Sequence, residues 1–81
     1  MTTYTITIWT DLQGIDRAKC VIEAGEFCIT LEAGQRHAAK RVARQMLDTG
    51  CDPTARVYFV NERGGKLGSV ASLAELGRVR G

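Results

Sequence analysis

The stretch Gln35 to Gly50, QRHAAKRVARQMLDTG, separates its apolar and charged residues onto two sides of one helix. At 3.6 residues per turn, Ala38, Ala39, Val42, Ala43, Met46 and Leu47 form one stripe, while Arg36, His37, Lys40, Arg41 and Arg44 crowd the opposite side. The helix is predicted over Gln35 to Asp48. Gly50 is placed for a left-handed C-terminal cap, and Pro53 stops any continuation. The alanines of the apolar stripe permit close approach to a sheet.

Upstream, Thr3 to Thr10 alternates threonine with Tyr4, Ile6 and Ile8, the period of a half-buried strand. Asp11 to Asp16 breaks the alternation and reads as a loop. Two runs follow, Arg17 to Glu23 and Glu26 to Glu32, joined through Ala24 and Gly25 as a hairpin. Phe27, Ile29 and Leu31 share a face, so their partners should be apolar. If opposed positions sum to 49, Phe27 meets Ile22, Ile29 meets Cys20, Leu31 meets Ala18, and Arg17 lies across from Glu32. A sum of 48 would bury Lys19 opposite Ile29, which is costly. The first register is therefore expected, with Cys20 inward, Cys28 outward and no disulfide between them.

Downstream, a strand is predicted from Arg56 to Asn61, a turn from Glu62 to Lys66, and a short strand from Leu67 to Val70. Ser72 and Glu75 have capping-box spacing before Leu76, giving a last helical turn, and Arg78 to Gly81 reads as a frayed tail. The expected architecture is one α+β domain over residues 1–81. Its sheet is mainly antiparallel with four or five strands, and one amphipathic helix crosses one face in the order β-β-β-α-β-β.

Eighty-one residues make one small domain that buries roughly 60–65% of its unfolded surface. A hydrophobic fraction of 44% with 25% charged residues is that of a folded globule. No run approaches the roughly 20 apolar residues of a membrane span, and MTTYTITIW lacks the basic start of a signal peptide; a cytoplasmic location is expected. Cys20, Cys28 and Cys51 are odd in number and lack CxxC spacing, so free thiols are expected, without a metal or cofactor. The net charge of +2 is polarised. Residues 1–34 carry two cations against five acids, net −3; residues 35–81 carry nine against four, net +5.

Three surfaces are candidates for a partner. The basic helix side, Arg36, His37, Lys40, Arg41 and Arg44, has no acid among those five positions. Like-charged neighbours there cost a few tenths of a kcal/mol per pair, which a phosphate backbone or an acidic protein surface would offset. The sheet face away from the helix, with Thr3, Thr5, Thr7, Trp9, Cys28, Thr30, Tyr58 and Val60, offers Trp9 and Tyr58 as interface anchors. An uncovered face or edge can also close a homodimer. The glycine turn projects Arg63 and Lys66 from a hairpin tip. His37 is the single histidine and has no nucleophile or carboxylate at catalytic spacing, so no enzyme activity is expected.

With MTTYTITIW as first strand, LEAG leading into HAAKRVARQML, the DTG exit, the strand RVYFV and the closing SLAELGRV, the chain resembles the small phage-encoded anti-CRISPR proteins that inhibit type I systems. The resemblance spans nearly the whole length as a layout of elements. It implies a non-enzymatic protein in a bacterial cytoplasm that binds a Cas subunit of the crRNA-guided surveillance complex, or its nuclease-helicase, and blocks DNA binding or cleavage. Many such inhibitors are acidic DNA mimics, whereas this helix is basic, which favours occlusion of an acidic or mixed surface. A looser similarity, in three strands running into a helix, is to HicB-type antitoxins. The alternative expectation is a small nucleic-acid-binding module using the basic helix side.

Overall fold

In the computed structural model, which describes residues 2–78, the elements are β1 (Thr3–Thr10), β2 (Asp16–Ala24), β3 (Phe27–Gly34), α1 (Ala38–Thr49), β4 (Arg56–Val60), β5 (Lys66–Val70) and α2 (Leu73–Gly77). Tight reversals set β2 antiparallel to β1 and β3 antiparallel to β2. The helix α1 then carries the chain back, so β4 enters beside β1 and parallel to it, and β5 folds back antiparallel on β4. The result is the expected α+β arrangement: a five-stranded sheet in the order β3-β2-β1-β4-β5, antiparallel except at its centre.

This order makes β1 the middle strand, and Ile6 at its centre is fully buried. Ile6, Ala18, Cys20 and Val57 from the sheet meet Ala38, Val42, Ala43 and Met46 from α1 and Leu73 from α2. Burial of each large side chain in this set contributes about 1.5–3 kcal/mol. The predicted apolar stripe of the helix is thus the seal on the sheet. Gly50 ends α1 at φ 100, and the Gly50 and Cys51 amides return to the Leu47 and Met46 carbonyls at 3.1 and 3.0 Å. The Ser72 hydroxyl accepts from the Glu75 amide at 3.2 Å, so the cap read from sequence forms. The remaining donors of that first turn are used as well: the Leu73 and Ala74 amides donate to the Ala55 and Pro53 carbonyls at 2.8 and 2.9 Å.

Two expectations are corrected. The β2–β3 hairpin pairs Cys20 with Leu31, Ile22 with Ile29 and Arg17 with Gly34, so opposed positions sum to 51. Every side chain keeps its expected face, because the shift is an even number of residues. The physical reason is the loop. A two-residue hairpin needs φ above zero at its first central position; Gly25 supplies it at φ 63, whereas the expected register would have asked this of Ala24. Lys19, not Arg17, therefore faces Glu32.

The second correction concerns the start of α1. The helix begins at Ala38, because Gln35 and His37 both adopt left-handed conformations, at φ 82 and 64. The Gln35 amide is still held by the sheet, donating to the Asp16 carbonyl at 2.8 Å, so the chain must turn sharply before it can coil. Arg36 and His37 accordingly precede the helix. Smaller differences lie at the second hairpin, where β4 ends at Val60 and β5 opens at Lys66. Asn61 leaves the strand to organise the turn: its Oδ1 accepts from the amides of Arg63 and Gly65 at 2.9 and 2.8 Å. Of the tail expected to fray, residues 79–81 lie outside the described residues.

Candidate basic face on the first helix

With the helix start moved, the basic side consists of Lys40, Arg41 and Arg44 on α1, all exposed, with Arg36 and His37 in the turn ahead of it. Asp48, one turn beyond Arg44 and also exposed, closes the stripe with an acid, so the charge is positive only through Arg44. None of these cations forms an ion pair among the described residues. These charges also gather toward the N-terminal end of the helix, where the macrodipole is already positive and no acidic side chain sits in the first turn. The region is therefore electropositive in both its side chains and its backbone.

Arg41 and Arg44 do not stand alone. They line a cleft of about 580 Å³ with Gln35, Gln45, Ala33, Gly34, Ile15 and a third arginine, Arg17. Arg17 comes from the start of β2 and borders the cleft from the outer face of the sheet, where its partner across the hairpin is Gly34. A Cβ on Gly34 would lie 3.3 Å from Arg17 Nη1, so the bare backbone leaves room for the guanidinium. Arg17 Nε donates to Asp11 Oδ2 at 2.7 Å, the one ion pair among the described residues. That hydrogen bond, with backbone donation from Ile15 and Gln13, holds the Asp11 carboxyl below the usual aspartate value. Asp11 stays ionised and keeps Arg17 aimed until strongly acid pH. The contribution is fully present above the ordinary carboxyl value and is lost as pH falls through the depressed one.

Arg17 is the member of this group that sequence reading did not single out. Its signal was the glycine opposite it, hidden by a register two residues off.

Trp9 and His37 line a second hollow, of about 410 Å³, with Ile8, Ala39 and Leu67, and Arg17 borders this one too. The Lys19 ammonium stands 5.6 Å from the centre of the Trp9 ring on the outer sheet face. Tyr58 is opposite Thr5 on that face and 40% exposed, and Val60 is opposite Thr7. Around them on that face stand Arg17, Lys19, Glu32 and a row of threonines, with Val60 between Tyr58 and Trp9 and with Val21 48% exposed. Arg63 and Lys66 lie on the β4–β5 hairpin, at the opposite side of the sheet from the cleft. The structure thus joins Arg41 and Arg44 with Arg17, places His37 with Trp9 nearby, and leaves Tyr58, Arg63 and Lys66 elsewhere.

No family model matches this sequence, and neither the curated proteins nor the solved structures provide a match. Among the described residues, no helix is long and apolar enough to cross a membrane.

Proposed function

We propose that this protein is a non-enzymatic binding module whose basic face, centred on Arg17, Arg41 and Arg44, holds an acidic or phosphate-bearing macromolecular surface. The observation that carries the reading is that three arginines from two elements border one open cleft, Arg41 and Arg44 from the helix side and Arg17 from the sheet edge, and among the described residues the one ion pair any of them makes is that of Arg17 with Asp11. Guanidinium forks match carboxylate and phosphate oxygens bidentately, and each such contact is worth roughly 1.5–3 kcal/mol. The biological role we propose for it, supported by the likeness of layout, is inhibition of a type I CRISPR system by occupying a Cas subunit of the surveillance complex and blocking DNA binding or cleavage. Co-purification with crRNA-loaded type I complexes tests it. Retention of the wild-type chain and loss of Arg41→Glu/Arg44→Glu is expected; no retention on any type I complex at micromolar concentration would exclude the role.

Direct binding of nucleic acid is the second reading, favoured by the hollow beside Arg17. Trp9 and His37 are flat ring systems adjoining Arg17, as in sites that stack a base while cations hold the backbone. A mobility shift that collapses with added salt, and with Arg41→Glu, would support this reading over the protein-binding one.

A further inference from the structure

The two edges of the sheet are treated very differently. At one edge β5 is five residues long, carries Lys66 and Gly68, and meets β4 through a register irregularity between Phe59 and Val60. These are the features by which proteins blunt an edge against pairing. At the other edge β3 is eight residues long, FCITLEAG, without lysine, proline or bulge. Its helix-side face carries Phe27 at 76% exposure and Ile29 at 44%, the largest exposed apolar pair on one strand. A regular, unblunted edge with exposed apolar side chains is a template for another strand.

The hydrogen-bonding groups of that edge follow from the hairpin. The pair flanking a two-residue loop, Ala24 with Phe27, is hydrogen-bonded, so odd positions of β3 point their amides and carbonyls at β2 and even positions point them outward. Two recorded bonds agree. The Gln35 amide donates inward to Asp16, and the outward Glu32 carbonyl accepts from Gln45 Nε2 at 3.3 Å, an exposed contact that an incoming strand displaces. Cys28 and Thr30 are the outward positions along the rest of the edge.

We propose that β3 pairs antiparallel with β3 of a second copy about a two-fold axis at Thr30, seating Phe27 of each copy beside Ala33 of the other in the basic cleft. Charge and shape select this axis. Centred at Thr30, the pairing opposes Ile29 to Leu31 and Cys28 to Glu32, and it brings Glu26 of one copy opposite Gly34 of the other. The Arg17 guanidinium lies across that glycine, so the acidic hairpin tip meets a cation on the outer face. On the helix side, Phe27 comes opposite Ala33, whose small side chain leaves the cleft open beneath Arg41 and Arg44; an aromatic face there is a cation–π partner. An axis at Ile29 would oppose Glu26 to Glu32, an unfavourable like-charge pair. An axis at Cys28 leaves Phe27 on Ile29, away from the cleft, and an axis at Leu31 carries Phe27 past the end of β3.

The symmetry has a geometric consequence. Antiparallel edge pairing about a two-fold axis keeps both α1 helices on the same side of one continuous sheet, so the basic faces of the two copies adjoin. The pairing rests on the strand edge and not on the partner proposed above, and it fills part of the same cleft.

Light scattering and sedimentation of the full chain across micromolar to about 1 mM concentrations test it. The expected result is a dimer. Phe27→Lys, which sets a cation against Arg41 and Arg44 of the other copy, should weaken dimerisation at least tenfold while leaving the circular dichroism spectrum unchanged, since this side chain is mostly exposed in the single copy. In Cys28→Ser/Thr30→Cys, mild oxidation should yield an intermolecular disulfide, because Cα atoms of a hydrogen-bonded antiparallel pair lie about 5.5 Å apart, within disulfide range. Three results would overturn the proposal: a monomer throughout, dimerisation unaffected by Phe27→Lys, or cross-linking of the wild-type chain through Cys28.

Discussion

Gln35 and His37 hold left-handed backbone conformations that glycine adopts freely and other residues adopt at a cost of about 1 kcal/mol. Both sit in the turn that delivers β3 into α1, and no side chain caps the helix there. Gln35→Gly and His37→Gly should therefore each raise stability, by up to about 1 kcal/mol, where a glycine in an ordinary position would lower it. Urea unfolding decides this; a loss in both variants would show that the side chains, not the backbone, hold the turn. Cys20 offers a second test at this scale. Burial, reinforced by Cys51, pushes its thiol up from the ordinary 9.0 to about 11. The folded state binds the proton more tightly than the unfolded chain. Stability is therefore fully present below pH 9 and falls as pH rises toward 11, by an amount on the order of 2 kcal/mol. Cys20→Ala should flatten that alkaline slope; an unchanged slope would assign it to another group, Tyr4 being displaced in the same direction by burial.

At the scale of elements, α1 divides into a structural stripe and an exposed basic face whose substitutions should behave differently. Met46 is fully buried against the sheet, so Met46→Ala should cost about 2–5 kcal/mol. Arg44→Ala, on the exposed side, should change stability by less than about 0.5 kcal/mol, and thermal melts of the two variants compare them directly. This stripe was legible from sequence because its period was unbroken from Ala38 to Leu47, and the same holds for the alternation in β1 and the cap at Ser72. The start of α1 was not legible. The helical pattern extends back through Arg36 and Gln35, and nothing local shows that the Gln35 amide is bound to Asp16. Hairpin register failed for a similar reason: apolar matching fixes only the parity of the pairing, and the requirement for a positive φ at Gly25 chooses among the registers of equal parity. That two-residue error is also why Arg17 went unnoticed as a neighbour of Arg41 and Arg44.

On the scale of the whole molecule, the charge polarity visible in composition becomes spatial. The acidic residues Glu23 and Glu26 lie at the β2–β3 hairpin tip, while the arginine cleft gathers at the other end of the same strands, where β3 passes into α1. A partner bearing phosphates or carboxylates would be oriented by this separation and drawn to one end of the molecule. Binding through such a face weakens steeply with salt, in proportion to the number of ionic contacts formed. The central claim, that Arg17, Arg41 and Arg44 form the partner-binding surface, is tested most directly by surface plasmon resonance on an immobilised, crRNA-loaded type I complex. Wild type, Arg17→Ala and Arg41→Glu/Arg44→Glu would be compared at several salt concentrations. The account predicts wild-type binding that falls with salt, at least a tenfold loss in Arg17→Ala and a larger one in the double variant. Wild-type affinity retained by both variants at every salt concentration would contradict it.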